Sequence, residues 1–179
     1  LINAIHQSNE KDKRKIRDKA LVLIGFSGGF RRSELVDIQF EELEFVSEGV
    51  KIFVKRSKTD QSGEGMTKAI PYFDNENFCP VKALKKWIEE ADLKEGKIFN
   101  ISDKSVALII KKYVNYAGLD AYRYSGHSLR SGFATSTAES GAEERNIMAM
   151  TGHKSTEMVR RYIKEANLFK NNALNKIKI

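Results

Sequence analysis

The apolar pattern of this 179-residue chain changes its period twice, and these changes limit the folds open to it. Between Leu43 and Phe73, short β-branched and aromatic runs alternate with turn-forming residues, which is typical of an antiparallel meander. Before and after this segment, apolar residues recur at the spacing of amphipathic helices. The pattern therefore predicts a mostly helical α+β protein with a small three-stranded antiparallel sheet near its start.

Local signals give these elements approximate bounds. Two consecutive glycines, Gly28 and Gly29, are expected to end the first long helix. The predicted strands cover residues 43–46, 50–54 and 68–72. Helices are predicted over residues 10–26, 31–38, 128–139, 143–150 and 156–165, over the apolar periods that begin at Val81 and Val106, and in a short amphipathic tail, residues 168–179.

Composition narrows the classes of function. The net charge of +7 and the isoelectric point of about 9.4 favour a polyanionic partner, nucleic acid first and an anionic membrane second. No apolar run approaches the roughly 18 residues that span a bilayer. Cys79 is the single cysteine, so a reducing, cytoplasmic setting is expected. No Cys-x-x-Cys or His-Glu-x-x-His spacing occurs, and we expect no metal site.

The chain is long enough for one domain with its own core, and no repeat or linker divides it. It begins with Leu1 where a complete protein would begin with Met. We therefore expect a fragment of a longer protein, or a processed form of one.

The second half of the chain gathers side chains that suit a phosphodiester. His127 and Arg130 are three residues apart and are expected on one helix face near a helix start, where free N–H groups favour an anion. His153 follows Gly152, and Tyr162 lies further along the same stretch. A phenol, two imidazoles and a guanidinium can act on a phosphodiester without a metal, although a His-x-x-Arg pair alone is more often an ordinary surface pair.

A tyrosine hydroxyl is a weak nucleophile until a base or nearby cations activate it. Arg160 and Arg161 adjoin Tyr162 and could supply that charge, although sequence neighbours point to different faces of a helix. Tyr162 alone is therefore equally well explained as a packing residue of an amphipathic helix.

Two further cations come from the first half of the chain. Arg31 follows the glycine pair, whose backbone freedom can place it in a cleft. Lys58 lies in a long polar loop between two strands, from which it could donate a proton to a leaving group. Lys55 and Lys68 lie on the same meander and are alternatives for that role.

Taken together and in this order, these segments resemble the tyrosine recombinase (phage integrase) family. The resemblance extends from about residue 10 to about residue 170, and Gly141 and Ile147 also match the family pattern. The segments that carry it are Gly29-Phe30-Arg31-Arg32-Ser33-Glu34-Leu35, Lys58, His127-Ser128-Leu129-Arg130, Gly152-His153 and Tyr162.

The resemblance implies a nucleophile and a phosphate clamp. Tyr162 matches the residue that attacks the scissile phosphate, forms a 3′-phosphotyrosyl link and frees a 5′-hydroxyl. Arg31 and Arg130 match the pair that holds the phosphate, and Glu34 matches an acidic residue that supports the arginines.

The resemblance also implies how protons move. Lys58 matches the general acid for the 5′-oxygen, His127 matches the acid/base partner, and His153 matches a hydrogen-bond donor to the phosphate. The family uses no metal or nucleotide cofactor.

The implied activity is that of a site-specific recombinase or integrase acting on double-stranded DNA, with a homotetramer on paired sites and no membrane partner. Residues 1–179 match the family's catalytic domain, and the separate N-terminal core-binding domain is expected to be absent from this fragment. Residues 165–179 would form a C-terminal tail that docks either on its own domain or in trans on a neighbouring protomer.

Three alternatives stay open at the level of sequence. Gly25-Phe26-Ser27-Gly28-Gly29 satisfies the Gly-x-Ser-x-Gly pattern of a serine hydrolase, with His127 or His153 as the base. A DNA-binding module without catalysis would need only the charge and the helices. A type IB topoisomerase-like enzyme would relax DNA by the same phosphotyrosyl chemistry.

Overall fold

The computed structural model describes residues 1–55, 65–152, 155–167 and 177. This part of the chain contains eight α-helices and a three-stranded antiparallel sheet, which confirms the predicted mostly helical α+β fold class. The helices are α1 (Ile2–Gln7), α2 (Asp12–Ser27), α3 (Arg32–Asp37), α4 (Pro80–Ala91), α5 (Asp103–Tyr116), α6 (Ser128–Glu139), α7 (Glu144–Thr151) and α8 (Thr156–Asn167), and the strands are β1 (Leu43–Val46), β2 (Gly49–Val54) and β3 (Met66–Pro71).

The sheet has the simple order β1-β2-β3, with each strand paired to its sequence neighbour. Strand β2 alternates in burial: Val50, Ile52 and Val54 face the core. On β3 the buried positions are Lys68, opposite Ile52, and Ile70. The inward face of a largely apolar sheet therefore carries one lysine.

The main core forms around the C-terminal half of α2, which packs against α4 and α6. Residues 20–24 are apolar and buried, whereas the first turns of the same helix are charged and exposed. Asp18 is fully buried at the change between these halves, where its carboxylate accepts a hydrogen bond of 2.8 Å from the Tyr113 hydroxyl of α5. This buried pair ties α5 to α2 and keeps the polar group satisfied.

The last three helices share a second, smaller cluster of apolar side chains. Helix α8 packs against α6 and α7, with Tyr162 and Ile163 partly buried on the cluster. The rings of Phe26 and Phe133 meet edge to face with centroids 6.3 Å apart, which joins α6 to α2. The buried members of the second cluster are Ala134, Ala138, Ile147 and Val159.

The differences from the sequence predictions are small. The bounds of the predicted strands and of the helices given residue ranges agree within two residues, and α6 matches its prediction. Helix α1 was not predicted, because six residues are too few to show a helical period. The predicted tail lies outside the described residues except for Ile177, which is exposed. No described helix combines the length and the apolar character that crossing a bilayer requires.

Candidate active site

Arg31 is carried by a sharp turn between α2 and α3, which we call the arginine turn (residues 28–34). Gly29 has a φ of +54°, and a Cβ at this position would lie 3.0 Å from a ring carbon of Phe133. The backbone conformation and the close contact thus both favour glycine here. Phe30 then buries its ring in the main core. The turn thereby places Arg31 immediately before α3, with its side chain only 17% exposed.

Glu34, in the first turn of α3, holds Arg31 in place. One carboxylate oxygen accepts the Arg31 backbone N–H at 2.9 Å, and the other accepts Arg31 Nη1 at 2.5 Å. Burial acts to raise the pKa of the Glu34 carboxyl, but the backbone hydrogen bond and the charges of Lys68 and Arg31 outweigh it and leave that pKa below its usual value. An ionised, buried carboxylate therefore fixes both the backbone and the guanidinium of Arg31.

Arg130 reaches the same turn from α6. Its Nη1 donates to the Gly29 carbonyl at 2.9 Å, and its Nη2 is buried and has no hydrogen-bond partner within the described part of the chain. Burial, assisted by repulsion from Arg31, lowers the pKa of Arg130 to about 10, although Glu34 and Tyr162 act in the opposite direction. Arg130 thus stays protonated at neutral pH and offers a buried donor that suits an anion.

Lys68 is a fourth charged group of this cluster. Its ammonium is fully buried and donates to the Gly28 carbonyl at 2.7 Å and to the Met150 carbonyl at 2.6 Å. It also lies 3.9 Å from a Glu34 oxygen and 4.4 Å from the centre of the Phe30 ring. Burial lowers the pKa of Lys68 to about 7, with Glu34 opposing and Arg130 and Arg31 reinforcing that shift.

From sequence, Lys68 was an alternative to Lys58 as a proton donor, and no pattern placed it beside the arginines. One sequence signal points to its burial: Lys68 alternates with Ile70 in a strand whose other face is exposed. A lysine at an inward position is uncommon and calls for partners from elsewhere in the fold. Those partners lie 40 and 82 residues away along the chain, so no local pattern identifies them.

His127 is exposed at the N-terminal end of α6, one turn before the buried Arg130. The backbone N–H of His127 donates to the Ser125 hydroxyl at 3.2 Å, and this hydrogen bond orders the preceding turn. Gly126 is covered by the side chain of Arg32, which leaves no room for a Cβ at that position. His127 and Arg130 therefore share one helix start, with the imidazole facing outward and the guanidinium facing the arginine turn.

Tyr162 lies half-buried on α8, where it packs against the small second cluster. It is close enough to Arg130 to raise the pKa of that guanidinium. The neighbouring arginines that could have assisted it pair with carboxylates instead: Arg160 Nε lies 3.1 Å from Glu144, and Arg161 Nε lies 3.1 Å from Glu165. Among the described residues, Arg130 is a cation whose charge interacts with Tyr162.

Two of the predicted site residues, Lys58 and His153, lie outside the described residues. Gly152, the residue before His153 in the sequence, ends α7 with a φ of 63°. Its carbonyl is 3.5 Å from Arg31 Nη2, so the end of α7 meets the arginine turn.

The serine hydrolase alternative is wrong. Ser27 is the last residue of α2 and is buried, so the Gly-x-Ser-x-Gly segment is a helix end and not a strand-to-helix elbow. A nucleophile elbow needs a parallel sheet, and the sheet of the described residues is antiparallel.

Comparison with known proteins places this arrangement in a family. The model of the phage integrase family matches residues 1–168. The integrase/recombinase xerD homolog of Selenomonas ruminantium is 52% identical over 174 residues, a match that covers 90% of this chain and 51% of that protein. The chain thus spans about half the length of the curated relatives it matches.

Solved structures agree at the level of the fold. The XerH site-specific recombinase, in a post-cleavage complex with palindromic difH substrate, superposes with a TM-score of 0.74 at 20% identity and covers 96% of this chain and 50% of that one. The catalytic domain of bacteriophage HP1 integrase has a TM-score of 0.58 at 20% identity, covering 99% of this chain and 92% of that domain. With its predicted family confirmed by the match over residues 1–168, this chain belongs to the phage integrase family.

Proposed function

We propose that this chain is the catalytic part of a site-specific DNA recombinase that cleaves and rejoins strands through a covalent 3′-phosphotyrosyl intermediate. One observation carries the proposal. Arg31 and Arg130, from opposite halves of the sequence, meet at one turn, and Arg130, whose charge interacts with Tyr162, has a buried Nη2 without a hydrogen-bond partner among the described residues. Two guanidiniums beside a phenol are what a metal-independent attack on a phosphodiester needs.

The proposed step conserves atoms and charge. The Tyr162 oxygen attacks phosphorus, forming a phosphotyrosyl bond to the 3′ side, and the bond from phosphorus to the 5′-oxygen breaks. Arg31 and Arg130 hold the non-bridging oxygens on which charge accumulates in the transition state. The reverse attack by a 5′-hydroxyl of a second strand releases Tyr162, so rejoining needs no external energy source.

Three residues are assigned to proton transfer and to binding the phosphate. His127, at the exposed start of α6, takes the proton from Tyr162, and Lys58 donates a proton to the departing 5′-oxygen. His153 donates a hydrogen bond to the phosphate. Glu34 completes the set by holding Arg31, which its two hydrogen bonds support.

The partner we propose is double-stranded DNA, and the active assembly is a homotetramer on two paired sites. Relatives solved on DNA, such as the XerH recombinase on difH substrate, support the choice of partner. In this proposal residues 1–179 form the catalytic domain, and residues 165–179 dock in trans on a neighbouring protomer. The excess of 31 Lys and Arg over 24 Asp and Glu fits a polyanionic partner.

The direct test uses the full-length protein and a nicked duplex that carries its own site, selected by binding from a random-sequence library. The nick lets the 5′-hydroxyl fragment leave, so the covalent complex accumulates. We expect a denaturation-resistant protein–DNA adduct from the wild type and none from Tyr162→Phe. Absence of an adduct from a wild-type protein that binds the duplex would overturn the proposal.

A matched variant controls for loss of a tyrosine hydroxyl elsewhere. Tyr116→Phe, at an exposed position at the end of α5, removes one hydrogen bond to the Gln7 carbonyl and is expected to form adduct at the wild-type rate. Supercoiled plasmid carrying two sites separates the recombinase from a topoisomerase-like enzyme. Recombinant products support strand exchange, whereas relaxed plasmid alone assigns the shared chemistry to relaxation.

A further inference from the structure

Lys68 departs from the pattern of the sheet that carries it. It occupies an inward position of β3, opposite Ile52 and two residues from Ile70, and none of its side-chain surface is exposed. An ammonium removed from water must be compensated by partners, and a residue whose only task was packing would be apolar. The position therefore calls for an explanation through the contacts of the ammonium group.

Those contacts join three segments that surround the proposed phosphate site. The Gly28 carbonyl, at 2.7 Å, opens the arginine turn, and the neighbouring Gly29 carbonyl accepts Arg130. The Met150 carbonyl, at 2.6 Å, belongs to the last turn of α7, two residues before Gly152, whose carbonyl meets Arg31. The Glu34 carboxylate, at 3.9 Å, is the group that fixes Arg31.

We propose that Lys68 is a positioning residue of the phosphate site, which sets the arginine turn and the end of α7 relative to each other. This inference rests on the proposed function. Lys68 touches no substrate, because its ammonium is enclosed by protein. It acts through Arg31, Arg130 and the chain that leads from α7 to His153.

The charges around Lys68 couple its proton to the phosphate. The charged groups that face it are Glu34 from α3, Arg31 from the arginine turn and Arg130 from α6. In the free protein the pKa of Lys68 is lowered to about 7, mainly by burial, with Arg130 and Arg31 lowering it and Glu34 opposing them. A phosphate bound to those arginines adds negative charge and raises the pKa again, so binding takes up a proton.

This coupling fixes the direction in which the affinity for phosphate changes with pH. Phosphate binding is favoured by protonated Lys68, so this contribution is fully present below the pKa of the free protein, about 7. It is lost as the pH rises from there through the higher pKa of the complex. The wild-type affinity for DNA should therefore fall across this range by more than that of a variant without the ammonium.

The test compares Lys68→Met with Lys51→Met in the full-length protein. Lys51 is on β2, exposed and paired with Glu44, and it is the matched control for loss of a lysine from the same sheet. Folding is checked by thermal unfolding, and adduct formation on the nicked duplex and DNA affinity are then measured from pH 6 to 9. We expect Lys68→Met to form adduct about 100-fold more slowly, as a small misplacement of clamping groups does, and to lose the affinity change above pH 7.

The outcomes separate this inference from the proposed function. If the wild type forms a Tyr162-dependent adduct and Lys68→Met matches its rate and pH profile, the positioning role is wrong and the recombinase proposal stands. If the wild type forms no adduct, the recombinase proposal fails, and the affinity profile still decides whether Lys68 senses bound phosphate. Lys51→Met behaving like Lys68→Met would also overturn the inference.

A measurement on the wild type covers the case in which Lys68→Met does not fold. Lysine side-chain NMR, with Lys68 assigned through bonds, follows its titration in the free protein and with the selected duplex. A midpoint near pH 7 that rises on binding supports the coupling. A midpoint that does not move contradicts it.

Discussion

The arginine turn and helix α8 carry the two halves of the proposed chemistry, and they are held in different ways. The turn is enclosed by charged and polar contacts: Glu34 fixes Arg31, Arg130 binds the Gly29 carbonyl, and Lys68 binds the Gly28 carbonyl. Helix α8 packs through Val159 against Ala134, Ala138 and Ile147, with Tyr162 only half-buried. The phosphate clamp is thus built into the main core, whereas the nucleophile is attached by a smaller apolar contact.

This difference has a functional meaning. A preorganised clamp stabilises the transition state without rearrangement at the moment of reaction. A nucleophile on a helix held by a small apolar cluster can be brought to the phosphate, or kept from it, at a smaller cost in free energy than a group in the main core. A recombinase that cuts its strands in turn would benefit from a fixed phosphate clamp and a movable nucleophile. Substitutions in the clamp and under helix α8 test this difference.

The largest effect on adduct formation is expected from the phosphate clamp, formed by Arg31 and Arg130. Arg130→Lys keeps a positive charge but loses the planar fork that reaches the Gly29 carbonyl and the phosphate together. We expect adduct formation to slow by about 10²–10³-fold, in the range found for loss of one oxyanion donor. Single-turnover kinetics on the nicked duplex measure it, and Arg145→Lys, an exposed arginine of α7, is the control. Equal rates for the two variants would refute a clamp at Arg130.

A smaller effect is expected from Glu34, the carboxylate that holds Arg31 in the phosphate clamp. Glu34→Gln weakens two hydrogen bonds to Arg31 and removes a buried charge, which we expect to lower the free energy of unfolding by about 2 kcal/mol. The folded-state pKa of Glu34 lies below its usual value of 4.5, so its contribution is complete above that pH and is lost as the pH falls further.

Urea unfolding between pH 3 and 7 checks the role of Glu34. The difference between the wild type and Glu34→Gln should shrink at the acid end of the range. Glu44→Gln, an exposed carboxylate on β1, should differ little from the wild type throughout. A Glu34→Gln deficit that persists unchanged at pH 3 would contradict the ionised carboxylate.

Lys68 gives the clamp a second pH signature, in the same direction but at higher pH. Its pKa is about 7 in the folded chain and 10.5 as an ordinary lysine, so the unfolded state binds more protons between those values. The wild-type free energy of unfolding should therefore rise with pH above 7. Lys68→Met should lack this rise and Lys51→Met should keep it, and a rise retained in Lys68→Met would assign it to another group.

The smallest effect is expected from the apolar cluster that holds helix α8, which carries the proposed nucleophile Tyr162. Ile147→Val removes one methylene from the cluster under α8 and is expected to cost about 1 kcal/mol. Amide hydrogen exchange should show α8 less protected than α2 in the wild type, and the variant should speed exchange in α8 with little change in α2. Equal protection of α8 and α2 would contradict the claim that the nucleophile helix is held less firmly than the phosphate clamp.

The sequence predicted much of this fold because its helices and strands follow the local period of apolar residues. Residues 128–139 form α6 as predicted, since leucine, phenylalanine and alanine recur there at the helical spacing. Helix α1 was missed because one and a half turns carry no period. The start of β3 was placed two residues late, because Met66 and Thr67 resemble loop residues until the pairing with β2 is known.

The site was predictable where residue order carried the signal. Arg31, Glu34, Arg130 and Tyr162 were all candidates, and the structure brings the first three together at the arginine turn, with Tyr162 near enough for its charge to interact with Arg130. The role of Lys68 was not predictable, because its partners come from α7 and the end of α2 and are set by tertiary packing. The carboxylate partners of Arg160 and Arg161 could not be predicted for the same reason, since they are visible only in the fold.

The most direct test of the account identifies the residue that becomes attached to DNA. The adduct formed by the full-length protein on the nicked duplex is digested with nuclease and protease, and the modified peptide is sequenced by mass spectrometry. The account predicts a nucleotide joined through a 3′-phosphate to the oxygen of Tyr162. Attachment to any other residue would contradict the central assignment.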